Sequence, residues 1–268
     1  TISDHMFYDC SNLEEVTIPE GVDSIGKYAF ANCEKLKKIE GPSDVKQIGE
    51  GAFLLCKSLK TIHLNGNYSE IPAYWLAGCS SVKEVTLPQT ITTIGSYAFA
   101  DCSSLKELKL PASTENIGEY AFAGCKKLEM MEFPEKISSV DNYMFYECSS
   151  LKSVEFKGDI YAIGSYAFKN DAKLERIYFS GGAPEVIGDD AFYNGNDRLL
   201  LYFPETADRW TTPEWTGPDE KIYATGCIYR GTCGKNLEWK FLPADGDMTI
   251  SGTGDMYEWK KASETPWY

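Results

Sequence analysis

Cysteine stands at positions 10, 33, 56, 79, 102, 125 and 148, each 23 residues after the last. A spacing this regular marks a repeat in which one unit is one coil. Such a unit is too small to bury its own apolar side and is stable only when stacked on its neighbours. Aligned on the cysteines, the unit reads I-G-x-Y-A-F-x-x-C-x-x-L-x-x-V-x-L-P. We number the coils from their first residues: coil 1 at Ile2, then Ile25, Ile48, Ile71, Ile94, Ile117, Val140, Ile163 and, for coil 9, Ile187. Coil 1 lacks the turn that precedes the others, coil 8 carries Asp171 in place of cysteine, and coil 9 is one residue longer before its strand.

Within a unit, the L-x-x-V-x-L segment alternates apolar and polar residues, as in Val85/Leu87, Leu108/Leu110 and Val154/Phe156. That alternation predicts a short, half-buried strand. The A-F-x-x-C stretch before it is too short for a full helix and predicts a turn or a single helical turn. Pro19, Pro88, Pro111 and Pro134 follow the strands and end ladder pairing, having no N–H to donate. Glycine at 26, 49, 95, 118, 164 and 188 is expected where each coil bends sharply. Stacked in register, Phe30, Phe53, Phe99, Phe122, Phe145, Phe168 and Phe192 form one core column. Cys10, Cys33, Cys56, Cys79, Cys102, Cys125 and Cys148 form another. Parallel strands ~4.8 Å apart give about nine coils a length on the order of 40 Å.

This unit resembles the BspA-like branch of the leucine-rich repeats, over residues 2 to about 204. The resemblance implies a solenoid, α/β-type or mainly β: a right-handed superhelix of about nine 23-residue coils with a parallel sheet on one face. It also implies a surface or secreted protein of a gut-type anaerobic bacterium, with adhesion to host matrix proteins or to other bacteria as the family's role.

After residue 204 the period fails. Residues 205–226, rich in Trp, Thr and Pro, predict a cap or connector, which an open solenoid end needs. In residues 227–268, Leu237, Trp239 and Phe241 alternate with polar residues before a turn at Ala244-Asp245-Gly246, and Met248 and Ile250 follow. The pattern predicts a small β-hairpin module. Its "GTCGKNLEWKF" and "MTISGTGDM" are similar to a segment found beside BspA-like arrays. The chain begins inside a coil and stops at "SETPWY", so an excerpt of a longer protein is expected.

The chemistry the sequence offers is sparse. A net charge of −14, from 40 acidic and 26 basic residues, opposes nucleic acid and anionic lipid as partners. No apolar run approaches the roughly 20 residues needed to cross a bilayer, so no membrane insertion is expected in this segment. Stacked cysteines point the same way, which suits neither disulfide pairing nor a convergent metal site. Two histidines cannot give every coil a catalytic partner, and buried thiols behave as small apolar groups. Structural packing is therefore expected for this column, and likewise for the tyrosines at 28, 74, 97, 120, 143 and 166. Cys227 and Cys233 lie outside the column; a local disulfide and two unrelated thiols both fit. No nucleophile elbow, zinc-protease or phosphate-loop motif occurs, and no cofactor, metal or catalytic residue is expected.

Function is expected where the repeats disagree. One outward strand column runs Thr17, Glu40, His63, Thr86, Lys109, Glu132, Glu155, Tyr178 and Tyr202. Its neighbour runs Glu15, Lys38, Thr61, Glu84, Glu107, Met130, Ser153, Arg176 and Leu200. Met130, Arg176, Tyr178, Leu200 and Tyr202, with Glu155 and Lys109 beside them, have the aromatic, Met and Arg character of protein-binding centres. The expected function is non-catalytic recognition of a protein or glycan ligand, with host extracellular matrix as one class. A spacer in a larger surface protein and the accessory region of a secreted enzyme are the alternatives.

Overall fold

The computed structural model describes residues 1–41, 44–63, 66–193, 198–242 and 245–257. It is a mainly-β solenoid of about nine coils, with turns rather than helices among the described residues. The L-x-x-V-x-L segments supply β1 (Glu15–Thr17), β3 (Lys38–Glu40), β5 (Thr61–His63), β9 (Met130–Phe133), β11 (Ser153–Phe156), β13 (Arg176–Tyr178) and β15 (Leu200–Pro204). The strands expected at Val85/Leu87 and Leu108/Leu110 do not form, because those segments, among the described residues, make no main-chain ladder with each other. A second ladder, which the repeat pattern did not announce, forms just before each I-G corner. Its strands are β2 (Ser24–Ile25), β4 (Gln47–Ile48), β6 (Glu70–Ile71), β7 (Thr93–Ile94), β8 (Asn116–Ile117), β10 (Ser139–Val140), β12 (Ala162–Ile163) and β14 (Val186–Ile187). All pairings between coils are parallel, as in Val16↔Ile39 and Ile71↔Ile94.

The corner between the ladders explains the Y-A-F-x-x-C motif. Alternate main-chain N–H groups donate to the next coil: Tyr28 to Glu50, Phe30 to Ala52 and Asn32 to Leu54, at 2.7–2.9 Å. Between them, Ala31 and Cys33 donate back to Tyr28 and Phe30, closing tight turns. The alternation requires left-handed residues, which tyrosine supplies in six coils and His5, Gly51 and Asp190 in coils 1, 3 and 9. Tyr28, Tyr74, Tyr97, Tyr120, Tyr143 and Tyr166 have φ between 51° and 59°. That conformation strains a bulky L-residue by roughly 1–2 kcal/mol. Ring stacking offsets it, with centroids 4.5 to 4.9 Å apart from Tyr74 through Tyr166.

The recurrent glycines therefore have a different reason from the sharp bend expected of them. Gly26, Gly49, Gly95, Gly118, Gly164 and Gly188 are not left-handed; a Cβ on each would lie 2.3 to 2.7 Å from a backbone nitrogen of the preceding coil. Close coil stacking, not bending, excludes a side chain there.

Phe30, Phe53, Phe99, Phe122, Phe145, Phe168 and Phe192 are buried in one continuous core. Cys33 to Cys148 are buried beside them as free thiols, while Cys10 is half-buried. Each buried thiol in this column also donates a hydrogen bond: Cys33 Sγ to the Phe7 carbonyl at 3.0 Å, and so on to Cys148 Sγ with Phe122 at 3.1 Å. The column is thus a ladder of S–H donors as well as packing.

At the far end, Trp210, Trp215 and Tyr223 close the core. Trp210 stacks on Phe203 at 5.0 Å, and Tyr223 meets Phe192 edge-on at 5.1 Å. Beyond them, β17 (Ile222–Gly234) pairs parallel with β15 through Thr225–Ile228, so it continues the strand-face sheet as a further rung. It pairs antiparallel with β16 (Glu214–Thr216) and with β18 (Leu237–Leu242), and β18 pairs with β19 (Asp247–Gly252). The expected hairpin is present; its Ala244 and the tail 258–268 lie outside the described residues. The boundary expected at 226/227 falls inside β17, because one strand serves the solenoid at one end and the hairpin at the other. Cys227 and Cys233 share that strand as free thiols; six extended residues hold them roughly 20 Å apart, too far for a disulfide.

Candidate functional site

The strand registers align the two outward columns as the repeat spacing predicts: Glu15↔Lys38↔Thr61 near one end, Met130↔Ser153↔Arg176↔Leu200 near the other. Glu132, Glu155, Tyr178 and Tyr202 form the neighbouring file. Alternation along each strand turns these side chains away from the core while Met131, Val154, Ile177 and Leu201 enter it.

The C-terminal half of the expected patch is not open. Tyr202 is 0% exposed, packed under Ile228 and Leu242 with Tyr178 and Leu200 against the same cluster. Its ring stacks on Tyr178 at 5.1 Å, and the Lys240 ammonium lies 3.8 Å from the centre of the Tyr178 ring. Arg176 forms an ion pair with Asp245 in the turn between β18 and β19. Burial pushes the Tyr178 and Tyr202 phenols above their ordinary range. Arg176, Tyr178, Leu200 and Tyr202 therefore hold the chain's own C-terminal sheet. They were expected to form an open ligand patch; instead they pack against β17–β19. No property of the repeat itself could have indicated that, since the covering residues lie outside it.

Met130 and Lys109 are placed differently. Met130 is 54% exposed and Lys109 is exposed, and both line an open groove of about 710 Å³ between the strand segments of coils 5 and 6. Glu107, Leu108, Glu132 and Pro134 complete its walls, and Lys157 reaches in from coil 7, paired with Glu132 at 2.8 Å. A smaller recess of about 300 Å³ continues to Glu84 and Thr86 of coil 4. Glu155, half-buried on β11, lies outside both.

The groove marks a break in the ladder. The main-chain bond entering each strand segment is 2.7–3.0 Å at Lys37, Lys60 and Lys152, but 3.5 Å at Lys106 and 3.3 Å at Glu129. Past those anchors, among the described residues, no main-chain hydrogen bond joins 84–87 to 107–110 or 107–110 to β9. The opposite ladder stays continuous across the same coils through β6, β7 and β8. The coils thus fan apart on the strand side and expose main-chain donors and acceptors in the gap. Phe133, Phe156 and Phe179 stack at 5.0 and 5.3 Å along the C-terminal part of the ladder, and Leu87 and Leu110 hold that position where it opens. Ile18 and Gly41 hold it in the intact β1–β3–β5 sheet, so this residue alone does not decide the break.

The profile of the BspA-type leucine-rich repeat region matches residues 1–103 and 69–200, in six copies. Among curated proteins no sequence matches. Among solved structures, a leucine-rich-repeat protein of T. pallidum is 28% identical, with TM-score 0.56, over 60% of this chain and 78% of that one. One from Bacteroides ovatus is 26% identical, with TM-score 0.52, over 71% of this chain and 63% of its own. A leucine-rich cell-surface protein of Faecalibacterium prausnitzii shares the fold at 24% identity and TM-score 0.53; the chain spans 53% of that protein's length. With a profile match across the solenoid and two ladders per 23-residue coil, the chain belongs to the BspA-type leucine-rich-repeat family.

Proposed function

We propose that this chain is a non-catalytic recognition module, displayed at or outside the cell surface, that binds a protein partner through the strand face of coils 5 and 6. The observation that carries the reading is the groove around Lys109 and Met130, where a thioether, three lysines and three glutamates surround main-chain groups that bond no neighbouring strand among the described residues. Extended polypeptide satisfies such groups, and exposed Met adapts to varied partners. Surface display follows the family resemblance.

The test is binding of the purified chain to a panel of extracellular-matrix proteins, with a glycan array in parallel. Lys109→Glu combined with Met130→Ala should weaken the protein interaction at least tenfold while leaving the thermal midpoint unchanged. Equal binding by the double variant would move the site elsewhere. Failure to bind any member of the panel would leave a spacer role in its place, and glycan-only binding would replace the protein ligand.

A further inference from the structure

The thiol ladder has one interruption, and an acid fills it. Asp171 stands one period after Cys148 and is 0% exposed. Among the described residues, neither carboxyl oxygen has a hydrogen-bond partner. Each thiol from Cys33 to Cys148 donates to the main-chain carbonyl 26 residues before it. The equivalent acceptor for position 171 is the Phe145 carbonyl, which takes only the Cys148 N–H at 3.0 Å among the described residues. Its second lone pair is open.

An ionised carboxylate has no proton to give and would set its charge against that oxygen in a dry core. The groups around it offer no compensation among the described residues. From the coil below, the thiol of Cys148 faces it and its main-chain N–H is the one favourable dipole. On its own coil, Lys169 is turned to Asp190 at 3.5 Å and to the Tyr166 ring at 4.5 Å, and Lys173 is exposed. From the coil above, Asp190 is shared between Lys169 and Lys221.

We propose that Asp171 is a neutral carboxylic acid whose O–H replaces the missing thiol as donor to Phe145, making the joint between coils 7 and 8 an acid-locked contact. Coil 9 and the C-terminal sheet are attached beyond this joint through β13, β15 and β17, so they loosen with it. Burial holds this carboxyl well above the ordinary Asp range. The sign follows: below the unfolded-state value near 3.9 the lock is complete, and it weakens as pH rises towards the folded-state value. Over that window the folding constant falls about tenfold per pH unit from this group. Exposed Glu14 and Glu129 and half-buried Asp190, lowered by their lysines, act in the opposite direction.

Asp171→Cys restores the ladder and Asp171→Asn keeps the shape without the charge. Urea unfolding of parent and variants between pH 4 and 8 should show the ratio of folding constants, variant over parent, growing about tenfold per unit at the acid end. Hydrogen exchange at pH 8 should be faster in the parent for coils 8 and 9 and unchanged for coils 2 to 6. A ratio that does not vary with pH overturns the proposal. Should both variants fail to fold, infrared spectroscopy of the parent decides it. A protonated-carboxyl band at pH 6 supports the neutral acid, and its absence overturns it.

Discussion

Arg176 Nε lies 3.1 Å from Asp245 Oδ2, tying the strand of coil 8 to the turn between β18 and β19. The pair is partly solvated, with 41% of the arginine side chain exposed, so Asp245→Ala should cost no more than about 1 kcal/mol. Its effect should be local, as faster hydrogen exchange in β18 and β19. Tyr202→Ala removes a fully buried ring from the same interface and should cost about 3–5 kcal/mol, read from the urea midpoint.

Thiol reactivity separates packing from chemistry. Cys10 and Cys227 are half-buried and the other seven of the nine cysteines are buried. Burial pushes the Cys33 thiol up to about 12 and holds Cys102 and Cys148 far above the ordinary range. A disulfide reagent at pH 8 should therefore titrate two thiols rapidly in the folded protein and all nine in denaturant.

The tyrosine corner inverts the usual ranking of small residues. At Tyr120, with φ 57°, alanine loses the stacked ring and keeps the strain, whereas glycine loses the ring and relieves it. Tyr120→Gly should be more stable than Tyr120→Ala by about 1 kcal/mol, and both less stable than the parent. Gly51, at φ 58° in the same column, shows that the corner accepts glycine.

The opposite holds two residues earlier. A Cβ at Gly118 would sit 2.7 Å from the Ser96 nitrogen, and backbone cannot swing aside as a side chain can. Gly118→Ala should destabilise by about 1–3 kcal/mol or more, seen as a lower thermal midpoint, although alanine suits most other backbone positions better.

These corners show what was legible in the sequence. The period and the alternation at Val154 and Phe156 carried the coil, the strand, its register and the buried columns, because identical units leave one way to stack. Tyr28 and Gly26 were visible as columns, but which of them turned left-handed depended on how closely adjacent coils approach, a property of the stack rather than the unit. The strand-face composition at Tyr178 and Tyr202 suggested an open ligand patch rather than an intramolecular contact, because a 23-residue period carries no information about Ile228, Lys240 or Asp245. The opening of the ladder at Leu87 and Leu110 was not legible either, since Ile18 and Gly41 hold the same position where the ladder is closed.

The thiol ladder also bears on how such a protein can change in length. Each rung joins a coil to the one before it, with Cys56 reaching Phe30 and Cys79 reaching Phe53. The groove at coils 5 and 6 and the sheet anchored on coil 9 are thus separated by a whole number of equivalent spacers. Adding or deleting a coil between them would shift the two surfaces by about 4.8 Å and leave the residues of each untouched. The solenoid is a ruler marked in coils, on which the distance between two surfaces is set by counting.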